Sequence, residues 1–138
     1  PADATETVEC WQVALENKER PSGLALTRQN LIPARTEYEE RNLCAQGAYE
    51  LISASDAKVS IFASGSEVEI AIKAQQQLEA KGIPARVVSV PCFELFFEQD
   101  ADYQEAIIGD APVKIAVEAG IRQGDNASLL QPITSASR

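Results

Sequence analysis

The chain has 138 residues, with 12 basic and 21 acidic side chains and a formal net charge of −9. With 45% hydrophobic and 24% charged residues it holds about one domain's core and folds rather than staying disordered, and its acidic balance disfavours nucleic acid and anionic membrane as partners. It contains no histidine, which excludes a self-contained Ser-His-Asp, Cys-His or histidine–metal enzyme and leaves a partial enzyme, a binding module or a subunit.

Asp3 is suited to cap a helix, and Glu6 stands three residues on, as a capping box requires. Ala4, Val8, Trp11 and Leu15 recur at four, three and four residues, one face of a helix running to about Asn17. Lys18 and Arg20 near its end suit the helix dipole. Pro21-Ser22-Gly23 breaks the pattern, and Gly23-Leu24-Ala25-Leu26 reads as a short buried strand before the polar group 27–30. Residues 34–44 are charged and poorly periodic, a linker between two units. A strand or hairpin arm is expected at 48–52 and a turn at 53–57.

The clearest stretch follows. Val59–Ala63 is an apolar strand, and Ser64-Gly65-Ser66 is a turn ending in a candidate N-cap. Val68, Ala71, Ile72, Gln75 and Leu78 mark one helical stripe, with Gln75 off pattern. Gly82 stands where a C′ glycine belongs, before Pro84 and the strand 85–90. Strand, helix and strand in roughly 33 residues make a βαβ unit with parallel strands. Cys92–Phe97 reads as a short helix or turn, 101–108 as a helix capped by Asp100, and 113–118 as a further strand. The fold class is therefore α/β, a mostly parallel sheet with flanking helices. Beyond Gly124 no period holds, and 125–138 reads as a loose or disordered end.

Cys10, Cys44 and Cys92 are odd in number and scattered, which fits reduced, partly buried thiols better than a disulfide framework or a zinc site. No apolar run approaches the roughly 20 residues of a membrane span, and no basic-then-apolar leader opens the chain. A reducing cytoplasm is the expected compartment. Starting on Pro1 and lacking methionine, the chain reads as a piece of a longer protein.

Each chemical reading has a plainer one beside it. The Ser64–Ser66 turn could cradle an anion at a helix start, but a cap and a tight glycine turn explain it without a ligand. Arg28 follows a short apolar strand, where a guanidinium could grip a phosphate; from spacing alone an exposed or ion-paired arginine explains it better. Glu67 and Glu69 suit the start of a helix dipole rather than a catalytic dyad. Glu94, Glu98, Asp100 and Asp102 read as a solvated acidic face, not a calcium loop. Glu118-Ala119-Gly120 ends a strand where function often sits, though a cap or ion pair fits equally. Phe93, Phe96 and Phe97 are core or a subunit contact.

Four blocks together resemble transketolases. They are Leu26-Thr27-Arg28-Gln29-Asn30-Leu31, with Asp3, Trp11 and Arg20-Pro21 leading into it; Ala63-Ser64-Gly65-Ser66-Glu67-Val68-Glu69; Ala85 to Pro91 followed by Phe93 and Gln99-Asp100; and Val117-Glu118-Ala119-Gly120-Ile121. They keep the family's order and spacing over roughly residues 1–123. The resemblance implies the transfer of a two-carbon ketol unit between sugar phosphates, in the pentose phosphate pathway, with thiamine diphosphate and a divalent metal (Mg or Ca). It implies that 1–33 end the pyrimidine-binding middle domain, 34–44 link, and 45–124 form most of the C-terminal domain. It implies that Arg28 binds the substrate phosphate. The family's metal and diphosphate motif, its channel histidines and its activating glutamate have no match here. The resemblance therefore implies no catalytic, cofactor or metal residue in this chain, and an isolated fragment that is inactive without the remaining domains and a homodimer partner. Residues 125–138 depart from the family, which implies a sheet lacking its last elements and prone to self-association. A stand-alone interaction or oligomerisation module of the same fold is the competing reading. A ketoacid dehydrogenase β chain or a deoxyxylulose phosphate synthase is a third, disfavoured by the Arg28-Gln29-Asn30 block.

Overall fold

A computed structural model of the chain describes residues 1–119; the expected loose end at 125–138 and the last residues of the fourth block lie outside the described residues. Helix α1 spans Ala4–Glu16, a 3-10 turn Leu43–Gln46, β1 Tyr49–Ile52, β2 Val59–Ala63, α2 Glu67–Glu79, β3 Ala85–Ser89, α3 Phe93–Phe97, α4 Ala101–Ile108 and β4 Val113–Val117. The sheet order is β1-β3-β2-β4. β2 runs parallel to β3 and β4, with Ile61 opposite Val87 and Ile115; β1 runs antiparallel to β3, with Tyr49 opposite Ser89. The α/β class and the mostly parallel sheet stand as expected, with one antiparallel edge strand.

β2 and β3 are buried along their whole length, as two-sided cover of a parallel sheet requires. Alternation sends Val59, Ile61, Ala63, Ala85 and Val87 into a core with Val68 and Ala71 of α2. Phe62, Val88 and Val90 face the other way, onto Phe96 of α3 and Ile107 of α4. Gln75, the off-pattern member of the α2 stripe, is buried and donates from Nε2 to the Ala85 carbonyl at 3.2 Å. Helix α2 ends in a Schellman motif: Ile83 N–H donates to the Leu78 carbonyl and Gly82 N–H to that of Glu79, with Gly82 at φ +73°. At the other end the expected cap is absent. Ser66 is itself helical, and its hydroxyl turns to the Glu67 carboxylate at 3.0 Å; the first amides bond instead to the Ser64 and Gly65 carbonyls.

Two other expectations change. Residues 23–26 form no strand, because neither edge strand of the sheet pairs with them, and Leu26 is exposed. An extended segment without a neighbouring ladder has nowhere to place its amides but water. Lys18 and Arg20 lie beyond the last turn of α1. The α1 stripe is one face, as its spacing predicts, but Val8, Trp11 and Leu15 are 70%, 49% and 74% exposed.

The face that α1 does bury is polar. Asp3 caps the helix, its Oδ1 accepting from Glu6 N at 2.8 Å. Glu6 does not complete the box on Asp3. Its fully buried carboxylate accepts from Ala2 N at 2.6 Å, from the Tyr49 hydroxyl at 2.8 Å and from the Ser89 hydroxyl at 2.5 Å. Burial and this carboxylate push the Tyr49 phenol far above its ordinary range. Asp3 Oδ2 accepts from Ala34 N at 2.7 Å, and Arg35 pairs with Glu9 at 2.7 Å while lying over the Tyr49 ring. The stretch read as a linker is thereby strapped to α1.

Glu6→Ala leaves the two hydroxyls without their shared acceptor and should lower stability by about 3 kcal/mol, read as a lower urea midpoint. An unchanged midpoint would show that the carboxylate does not hold α1 to the sheet. Gly47 sits at φ +81°, and a Cβ there would stand 2.2 Å from Phe96 N and 2.4 Å from the Cys92 carbonyl. Gly47→Ala should cost about 3 kcal/mol or more, checked by the same titration.

Candidate functional site

A cleft of about 650 Å³ opens where β2 and β3 end. Ligands of open α/β sheets favour this edge, because strand ends leave backbone groups and loop side chains converging there. Its walls are the second half of α1, the extended segment 20–27, the turn 64–66 and the residues from Val90 to Leu95. Gly47 lets the 90–95 wall approach closely, since Cys92 N–H donates to its carbonyl at 3.0 Å. On the far side the Arg20 guanidinium grips Glu98 in a two-pronged ion pair, Nη2 to Oε2 being 2.8 Å. That pair holds the unpaired segment after α1 against the end of α3. Arg20 beside it keeps the Glu98 carboxyl below its ordinary range.

The electrostatics of the cleft are acidic. Ser64 Oγ donates to Glu118 Oε2 at 3.0 Å, and Ser66 Oγ to Glu67. An anion in the Ser64–Ser66 turn would face both carboxylates, so like-charge repulsion opposes the anion reading. Glu69 is engaged by Lys73 at 2.5 Å, one helical turn on. The acids from Glu94 to Asp102 do not converge: Glu94 accepts from the Cys92 thiol at 3.4 Å, Glu98 holds Arg20, and Asp100 caps α4 through Tyr103 N.

Arg28 stands apart from this cleft. It lies on an exposed bend at 28–29, one residue beyond the last cleft-lining residue of that segment, Thr27. The bend is set by Gln29 N–H donating to Thr27 Oγ1 at 3.1 Å. The Arg28 side chain is exposed to solvent.

Sequence reasoning missed two features. Glu6 was legible only as half of a capping box, since its partners Tyr49 and Ser89 lie far along the chain. Cys10 and Cys44, scattered in sequence, meet at the cleft wall. The neighbouring Cys44 thiol holds the Cys10 thiol below the ordinary thiol range, and Cys10 together with burial raises Cys44. Burial, more than the bond to Glu94, pushes the Cys92 thiol up.

No three His, Cys, Asp or Glu side chains among the described residues are grouped to hold a metal ion. The carboxylates nearest the cleft are occupied by Arg20, Ser64, Ser66 and Cys92. The residues described thus do not fit a metal-bound diphosphate cofactor. No helix among them is long and apolar enough to cross a membrane.

Residues 47–133 match the family model described as transketolase-like TK C-terminal domain. The chain is 48% identical over 124 residues to the transketolase of Cereibacter sphaeroides, covering 90% of this chain and 19% of that protein. It therefore spans about a fifth of the length of that curated relative. Among solved structures, a transketolase from Leishmania mexicana superposes with a TM-score of 0.79 at 39% identity, over 86% of this chain and 17% of the other. A transketolase from Pichia stipitis in complex with sedoheptulose-7-phosphate does so with a TM-score of 0.77 at 37% identity, over the same shares.

Removing the cation of the Arg20–Glu98 pair tests the strap across the cleft. Glu98 has a depressed folded-state pKa, so the pair stabilises above the unfolded carboxyl pKa and is lost as pH falls through the folded value. In Arg20→Ala the Glu98 carboxyl should titrate higher, back toward an ordinary glutamate, in a side-chain NMR titration; an unmoved titration would mean that Arg20 does not govern it.

Proposed function

The chain belongs to the transketolase family, and on that premise we propose that it is the C-terminal portion of a thiamine-diphosphate-dependent enzyme that moves a two-carbon ketol unit between sugar phosphates. The observation that carries this reading is a likeness to transketolases over nine-tenths of the chain, well beyond the stretch matched by the C-terminal-domain model. Residues 1–33 then end the pyrimidine-binding domain, 34–44 link it onward, and 45–124 form most of the C-terminal domain, the family match running on to residue 133. Thiamine diphosphate and its divalent metal are held by domains supplied from outside this chain, with a homodimer partner completing the site, in the cytoplasm. The uncovered Val8-Trp11-Leu15 face of α1 supports this, since an apolar helix face of that size is suited to burial against further chain.

Within that enzyme Arg28 binds the phosphate of the sugar. Its exposure on this bend leaves its guanidinium donors available for a bidentate contact. The 138-residue chain by itself turns over no sugar phosphate and retains no thiamine diphosphate.

A full-length transketolase carrying this segment tests the residue. Arg28→Ala should raise KM for phosphorylated sugars by roughly 10- to 100-fold, the worth of one charge-assisted contact, while an unphosphorylated sugar of the same length is used as before. Equal KM values for both proteins would remove Arg28 from the phosphate site.

A further inference from the structure

Of the three cysteines, two are built as a pair. Cys44 Sγ lies 3.9 Å from the Glu6 carbonyl. In the i→i−4 pattern of α1 that carbonyl is the acceptor of the Cys10 amide, so the Cys44 sulfur sits beside the turn that carries Cys10. Two clamps keep it there. Cys44 N–H donates to Glu9 Oε2 at 3.2 Å, and Asn42 Nδ2 donates to the Glu9 carbonyl at 2.9 Å. The two members differ in access: both line the cleft, but Cys10 is half-buried whereas Cys44 is buried. Cys92 also lines the cleft, but its thiol is engaged with the Glu94 carboxylate, which disfavours a thiolate there.

We propose that Cys10 and Cys44 are an oxidation site, a thiol pair that hydrogen peroxide closes to a disulfide joining α1 to the turn Leu43–Gln46. Cys10, reachable from the cleft, attacks as thiolate. Its sulfur forms an S–O bond as the peroxide O–O bond breaks, giving a sulfenic acid and hydroxide, which takes up the proton that Cys10 released. Cys44 then displaces the sulfenic oxygen. The S–S bond forms, the S–O bond breaks, and the Cys44 proton leaves with that oxygen as water. Two thiols lose two electrons and one peroxide becomes two waters. The product covalently fastens the helix that Glu6 otherwise holds by hydrogen bonds alone. Because Cys10 lines the cleft, oxidation also alters that wall.

The experiment treats the 138-residue chain with equimolar hydrogen peroxide, alkylates the remaining thiols and maps the peptides by mass spectrometry. Two of the three thiols should be lost, with a Cys10–Cys44 linked peptide that dithiothreitol reverses. Cys92→Ser should leave the link in place. Cys44→Ala should stop the reaction at a Cys10 sulfenic acid that dimedone captures. The proposal is overturned if Cys10 and Cys44 both remain alkylatable while Cys92 is oxidised, or if either links to Cys92 instead. The wild-type map decides between these outcomes even if the buried Cys44 substitution impairs folding.

Discussion

One buried carboxylate holds the first part of this protein to the rest. Glu6 takes its donors from three separate places: the chain just before α1, the edge strand β1 and the end of the central strand β3. A carboxylate out of water is costly unless its oxygens are bonded, and here no basic side chain is among those partners. The arrangement is therefore demanding: α1 must sit where all three donors reach it. Asp3, also buried, adds its own two contacts, one to the helix it caps and one to Ala34 on the returning chain. The α1 side facing the sheet is a hydrogen-bonding surface, and its apolar residues are left on the side facing away.

The cleft follows from that placement. With α1 fixed over the end of β3, its second half and the segment after it form one wall, and the strand ends form the other. Gly47 removes the one side chain that would keep the 90–95 loop from closing down, and Arg20 secures the segment to Glu98. Arg28 is carried on the same unpaired segment, just outside. Around the cleft the one guanidinium that lines it, Arg20, is already taken up by Glu98, and Glu67, Glu94 and Glu118 add negative charge. A packed sheet thus supports a short arm that carries Arg20 against Glu98 and Arg28 on an exposed bend.

The βαβ unit was legible because its signals agree across levels. Apolar runs at 59–63 and 85–90, a helical stripe, Gly82 and Pro84 all give one answer, and the described elements match them to within a residue. Asp100 as the cap of α4 was legible for the same reason. Residues 23–26 misled because an apolar run reports burial in some sheet without saying which strands lie beside it. The α1 stripe was read correctly as one face, but periodicity does not say what covers it. The meeting of Cys10 with Cys44, and of Glu6 with Tyr49 and Ser89, depends on contacts of large sequence separation that no local pattern encodes. Arg28 was singled out by its motif rather than by its surroundings.

The strand order has a consequence for synthesis. β2 takes β3 on one side and β4 on the other, and β4 is the last strand of the described residues to leave the ribosome. Until residue 117 emerges, the central strand carries one open row of amides and carbonyls on a nascent chain already able to pair β1, β3 and β2. That interval is when an unfinished copy can add its edge to a neighbour on the same message. Glu50 and Arg86, ion-paired at 2.5 Å beside the β1 edge, place charge at the opposite margin and leave the β2 side as the one exposed to such pairing.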